Sequence, residues 1–184
     1  KTALWGKTLK LYLPSDLRAS VPDPEKMSSI LVEGFKKAGI ELEPHLLPYS
    51  KFAAACRRGE HDIAVFGWIA DYPDPENIYM LLSQQGSAAG YNLALYQDET
   101  FDDLLRKARL EVNAPRRRKL FIRIEKRLWK QRPWYPLVFV SNQVAIRREV
   151  AGLRLGVEQC LGGADLFLRR AHLRKTPKQT KKTE

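Results

Sequence analysis

The chain has 184 residues, 44% of them hydrophobic, which suffices for the core of one domain or of one lobe of something larger. Nowhere do eighteen apolar residues run unbroken, so a transmembrane helix is excluded. The opening "KTALWGKTLKLYLPSD" shows neither the apolar core nor the cleavage pattern of a signal peptide. The formal net charge of +11 is uneven, because residues 1–100 sum to −3 and residues 101–184 to +14.

"TLKLYLP" alternates Leu9, Leu11 and Leu13 with polar neighbours, a strand stopped by Pro14. A turn-rich loop, "SDLRASVPDP", leads to Asp23-Pro24, where a cap and a first-turn proline predict a helix start. Met27, Ile30, Leu31, Gly34, Phe35 and Ala38 recur at helical spacing, and Gly39 ends the element. "IELEPHLLP" reads as a second strand, after which Ser50 is expected to cap a short helix closed by Gly59. "HDIAVFGW" is a nearly continuous apolar run that suits a strand covered on both faces, as in the middle of a parallel sheet. Strand, helix, strand, helix, strand in sixty residues predicts an α/β layer with right-handed crossovers.

Beyond Trp68 the chain turns through "IADYPDPEN", and Asp74-Pro75 repeats the capping logic for a helix over "ENIYMLL". "SQQGSAAG" reads as a small-residue loop. "DETFDDLLRKARLE" reads as a helix with acids early and bases late, as the helix dipole prefers. "NAPRRRKLFIRIEKRLWKQR" is a longer helix with Leu120, Phe121, Ile124 and Leu128 facing a core, and an extended segment follows from "PWYPLVFV". The pattern weakens from Val150. "TPKQTKKTE" is charged and low in complexity, the composition of a disordered tail.

The residues offer little to catalysis or metal binding. Cys56 and Cys160 make neither a CxxC pair nor a metal-ligand spacing, and Cys56 reads as a small buried residue on a helix. His45, His61 and His172 are scattered. Asp71, Asp74 and Glu76 cluster, but no nucleophile or metal-spaced partner accompanies them, and no phosphate loop or serine elbow occurs elsewhere. The run "RRRK" raises a nucleic-acid reading. It alternates with a core-facing stripe on one helix, however, and so reads first as a solvated face.

A series of pieces in order carries a resemblance: "PEKM", "KAGI", "GEHD", then Gly67-Trp68-x-x-Asp71-x-x-Asp74-Pro75, and the pair "NLALYQDETFDDLLRKA" and "APRRRKLFIRIEKRLWKQRPWYPLVF". In these the chain resembles the C-terminal portion of the family 5 extracellular solute-binding proteins of bacterial ABC importers, the dipeptide- and oligopeptide-binding group. The likeness runs from about residue 8 to about 155. It implies a lobe of the periplasmic-binding-protein type II kind, α/β, with a mixed sheet and flanking helices. Residues 1–149 would form the ligand-binding lobe, 150–173 a returning segment packing on an absent N-terminal lobe, and 174–184 a disordered basic tail.

By the same resemblance the protein is not an enzyme and needs no cofactor or metal. Asp71 would receive the ammonium group of a short peptide or similar amine-bearing solute, with Trp68 lining the pocket. Gly67, Tyr72 and Asn92 complete the candidate ligand-binding set. Asp74 reads as a helix cap, and for Asn92 a structural bond within a loop competes with ligand contact. The implied partners are a second lobe and an ABC permease in the membrane, and the implied location is periplasmic or extracellular and membrane-associated. Nucleic acid is not among the implied partners. A truncated lobe without useful affinity, or a basic nucleic-acid-binding domain, are the alternative readings.

Overall fold

The computed structural model describes residues 4–18, 20–139, 147–151 and 172–173. Along them run β1 (Thr8–Pro14), α1 (Pro24–Lys37), β2 (Glu41–Leu47), α2 (Tyr49–Arg57) and β3 (Ile63–Ala64). There follow α3 (Pro75–Tyr79), a 3-10 turn at Met80–Leu82, α4 (Gln84–Ala88), α5 (Glu99–Leu110), α6 (Ala114–Gln131), β4 (Val150–Ala151) and β5 (His172–Leu173). The chain falls into two units, residues 1–69 with 74–140, and residues 70–73 with 141–184.

The first unit is built on a parallel sheet of order β2-β1-β3. Thr8 lies opposite Glu41 and the register holds through Pro14 and Leu47, while Leu11 and Tyr12 face Ile63 and Ala64. Side chains alternate across a strand, so β1 feeds two cores. Leu11 and Leu13 join Ile40 and Leu42 under Met27, Leu31 and Phe35 of α1. Tyr12 joins Phe52, Ala53 and Cys56 of α2 and Leu93. A third cluster seals α5 against α6 through Phe101, Leu104, Leu105, Phe121, Ile124 and Leu128.

This is the expected α/β arrangement, with a correction to the place of the third strand. Among the described residues β3 lies at a sheet edge, and β1 holds the centre. Its ladder covers two residues, extended by the Val65 N–H donating to the Tyr12 carbonyl at 2.9 Å. Residues 63–68 are half-buried rather than covered on both faces. The apolar run continues because it leaves the sheet to supply Phe66 and Trp68. Antiparallel pairing occurs in the second unit, where Val150 faces Leu173 in β4–β5.

Local signals set most helix ends. Asp23 caps α1 by accepting from the Lys26 N–H at 2.9 Å, and Pro24 opens it. Gly39 then turns at φ +75°, where a side chain would be strained and would also meet the Trp5 ring. The start of α2 differs from expectation. Ser50 lies inside the first turn, the N-cap is Pro48, and the Tyr49 N–H donates instead to Asp16 Oδ2 at 2.6 Å. A distant carboxylate thus does the capping work. "SQQGSAAG" is also more than a loop, since Ser83 accepts from the Gly86 N–H at 3.0 Å and starts α4.

Three arginine–carboxylate pairs tie the later helices together. Arg117 of α6 holds Asp74, the N-cap of α3, with two bonds of 2.6 and 2.9 Å. Arg127 of α6 holds Asp98, the N-cap of α5, at 2.7 Å. Arg109 of α5 pairs with Glu76 in the first turn of α3. After α6, which ends at Arg132 in the left-handed region, residues 134–139 join no strand. Cys160, most of the segment 150–173 and the whole of 174–184 lie outside the described residues.

Candidate functional site

Open parallel sheets present their ligand-facing loops at the carboxyl ends of the strands. In the first unit this edge gathers the loop after β1, the start of α2 after β2, and Val65–Trp68 after β3. The first loop is closed on itself, with Arg18 and Val21 exchanging backbone bonds of 3.3 and 3.0 Å over a fully buried Val21. It is fastened to β2 by the Ser15 N–H donating to the Leu47 carbonyl at 2.7 Å, and to α2 by Asp16. The Arg18 guanidinium lies over the Tyr49 ring, 3.9 Å from its centroid, where attraction to the ring face offsets part of its lost hydration.

Gly67 presses against this loop. A Cβ added there would stand 2.0 Å from Ser20 Cβ and 2.5 Å from its Oγ, so a bare backbone is required for the close approach. The contact sets β3's exit beside the loop that carries Arg18.

Trp68 is half-buried and held from three sides. Its ring lies 6.2 Å from Phe66 and 5.4 Å from Tyr91, the latter edge-to-face at 64°. Its indole N–H donates to Oδ1 of Asn77 at 2.9 Å. Asn77 belongs to α3 and is 1% exposed, so this bond forms in a shielded site. The helix beneath it is fixed by Asp74, which accepts from the Glu76 N–H at 2.9 Å while receiving both bonds from Arg117. The Arg117 guanidinium, then the Glu76 amide, hold the Asp74 carboxyl below its ordinary range, against the opposing effect of burial.

Asn92 is 4% exposed. Its two Nδ2 hydrogens serve three acceptors, Ser87 Oγ at 2.8 Å, the Tyr96 carbonyl at 2.8 Å and the more distant Leu82 carbonyl at 3.3 Å, and its Oδ1 accepts from the Tyr96 N–H at 3.2 Å. Those bonds use both donors of its amide, and they brace the loop that delivers Tyr91 to Trp68. Gly67, Trp68 and Asn92 therefore share the first unit. Asp71 and Tyr72 belong to the second, and both are exposed.

Sequence reading passed over Arg18, Tyr49, Asn77 and Tyr91. Arg18 and Tyr49 had a usable signal, since each follows a predicted strand at its carboxyl end. Asn77 had a fainter one, as a polar residue three places after a cap, just before the apolar run "IYMLL". Arg18 sets a guanidinium on the flat ring of Tyr49, while Asn77 and Tyr91 hold a second aromatic surface, Trp68. Among the described residues no cluster of His, Cys, Asp and Glu is arranged to hold a metal ion.

No family model matches the chain. Among curated proteins, Di/tripeptide-binding protein 4 of Pseudomonas aeruginosa is 30% identical over 145 residues, 78% of this chain and 27% of that protein. Heme-binding protein A of Haemophilus influenzae is 28% identical over 147 residues, 80% of this chain and 27% of that protein. A dipeptide-binding protein from a Pseudoalteromonas species, solved with Met-Leu, superposes with a TM-score of 0.71 at 25% identity, covering 83% of this chain and 30% of that one. The chain is a homologue of the family 5 solute-binding proteins.

That kinship also fixes the fold as the periplasmic-binding-protein type II kind. A further family 5 relative, the ABC transporter-associated periplasmic binding protein DppA from Helicobacter pylori, was solved with the peptide STSA. It matches with a TM-score of 0.72 at 25% identity, over 92% of this chain and 32% of that one. The chain spans about a quarter to a third of the length of these family 5 proteins, which are binding proteins rather than enzymes.

Proposed function

We propose that this chain is part of the substrate-binding component of an ABC-type importer for peptides or related amine-bearing solutes. Residues 1–149 would be its ligand-binding lobe, and 150–173 a segment that packs on the remainder of the full-length protein. The observation that carries the reading is the indole of Trp68, fixed at the carboxyl edge of the parallel sheet by Asn77 and Tyr91. Two homologues of the same fold hold peptides, which supports it.

In this reading Asp71, exposed and three residues beyond Trp68, receives the ligand ammonium. An ammonium taken out of water needs a fixed counter-charge, and truncating one member of such a pair typically costs ~2–5 kcal/mol of affinity. The indole excludes water and adds ~0.5–2 kcal/mol of attraction to the cation. Gly67 and Tyr72 belong to the same proposed ligand-binding set, and Arg18, stacked on Tyr49, would supply the opposite charge for a peptide carboxylate. Asn92 serves by bracing the Tyr91 loop. A second lobe closes the cleft, a permease takes the cargo, and the full-length protein works in the periplasm.

Calorimetry of the full-length protein with a dipeptide and its N-acetylated form tests this. Binding of the free peptide, its loss in Asp71→Ala and indifference to the acetylated form are the expected results. Equal binding of both forms, or an undisturbed Asp71→Ala, overturns the amine role. Because the chain spans 27% of its curated relatives, the isolated piece should bind at millimolar affinity or below detection, and a Kd below about 10 µM would show that one wall suffices.

A further inference from the structure

The basic run that opens α6 is not uniform. Arg117 is drawn inward to Asp74, and Arg127 to Asp98. Arg116, Lys119, Arg123, Lys126 and Lys130 are all exposed, and none of them forms an ion pair among the described residues. Their spacing of three, four, three and four puts them on one stripe of the helix. The stripe lies away from the Phe121, Ile124 and Leu128 face that packs on α5. Glu125, the one acid in α6, is turned to another task, accepting from the Tyr79 hydroxyl at 3.0 Å. At 1.5 Å per residue the five cations extend along about 21 Å. Beside their C-terminal end Trp129 stands 69% exposed, with the Arg132 guanidinium 5.8 Å from its ring centroid.

Five like charges on one helix repel one another, and no acid on the face relieves them. We infer that this face of α6 docks on an anionic phospholipid surface. The partner is argued from charge and from the indole. A row of cations meets a plane of phosphate headgroups along its whole length, each basic residue contributing on the order of 1 kcal/mol near such a surface. A solvent-exposed tryptophan at the row's end matches the headgroup level, where amphipathic rings settle. Nucleic acid offers the same phosphates, and arginines such as Arg116 and Arg123 can also read guanine edges, but a homologue is named as a periplasmic protein. The inference stands apart from peptide binding, so either can fail without the other.

Vesicle sedimentation of the whole chain decides it, with circular dichroism melts checking that each variant folds. Wild-type protein should sediment with phosphatidylglycerol vesicles and stay in solution with phosphatidylcholine. Reversing Lys119, Arg123 and Lys126 to Glu should weaken sedimentation at least about tenfold. Reversing the exposed Lys7, Lys26 and Lys51 to Glu should leave most of it, and high salt should release the wild type. Failure of the wild type to sediment with the anionic vesicles overturns the proposal. So does equal loss in both triple variants, or loss caused only by Lys→Gln changes at 175, 178, 181 and 182. Duplex DNA displacing the protein from vesicles at equal phosphate concentration would also overturn it, in favour of a nucleic-acid surface.

Discussion

The indole N–H of Trp68 donates to the buried Oδ1 of Asn77, so a residue of α3 sets the angle of an aromatic ring delivered by β3. The signature that looks like a single turn therefore has two jobs. Trp68 offers the surface, and Asp74 with Asn77 anchors the helix against which that surface rests.

Replacing Asn77 with Leu should uncouple the two. The indole donor would be left unpaired in a part-buried site, at a cost of ~1–3 kcal/mol in denaturant unfolding. The Trp68 indole resonance, assigned by comparison with Trp68→Phe, should shift in a nitrogen-15 spectrum of the folded variant. An unmoved resonance would show that the ring is held by Phe66 and Tyr91 alone.

Gly67→Ala should destabilise the chain by about 1–3 kcal/mol, because the new methyl cannot coexist with Ser20 Cβ. The double variant with Ser20→Gly should recover most of that loss, and a mutant cycle measures the coupling. Additive losses would mean that the two positions do not meet in solution.

Acid should weaken the protein through Asp98. Burial alone would raise its pKa, but Arg127 at 2.7 Å, the Phe101 amide at 2.9 Å and the Tyr96 hydroxyl at 2.9 Å hold it well below the ordinary carboxylate value. Tyr96 in turn, chiefly by burial and then by this carboxylate, is pushed up to about 12. A depressed carboxyl gives stability that is complete above its unfolded pKa and drains away as pH falls through the folded one. Asp74, also lowered, acts in the same direction. Asp98→Asn should therefore cost about 2–4 kcal/mol near neutral pH and flatten the fall in stability below about pH 4. A variant whose stability falls as steeply as the wild type would assign acid sensitivity elsewhere.

Cys56 is fully buried, and burial, with Glu60 nearby, pushes its thiol up to about 11. In a Cys160→Ser background, a thiol reagent should label Cys56 no faster than the chain unfolds. Rapid native-state labelling would expose an opening of the α2 layer.

How much was legible depended on whether the cause was local. Asp23-Pro24 and Asp74-Pro75 declare their helices because cap and proline sit beside what they start. The Asp16 cap of α2 was not legible, since 33 residues separate the carboxylate from the Tyr49 N–H it accepts. Nor was the edge position of β3, because an apolar run looks the same whether it is covered by helices or leaving the sheet with aromatic rings. Within the candidate site, Trp68 and Gly67 stood out by motif. Asn77 and Tyr91 did not, because their roles come from contacts 9 and 23 positions away in the chain.

The arginine pairs also make α6 a ruler. Arg117 and Arg127 stand ten residues apart, about 15 Å along the axis, and each must reach the N-cap of a different helix. One residue inserted between them would swing the second guanidinium by roughly 100° and leave Asp98 without its arginine. Over that stretch the outer surface can change letter by letter, but its length cannot change at all.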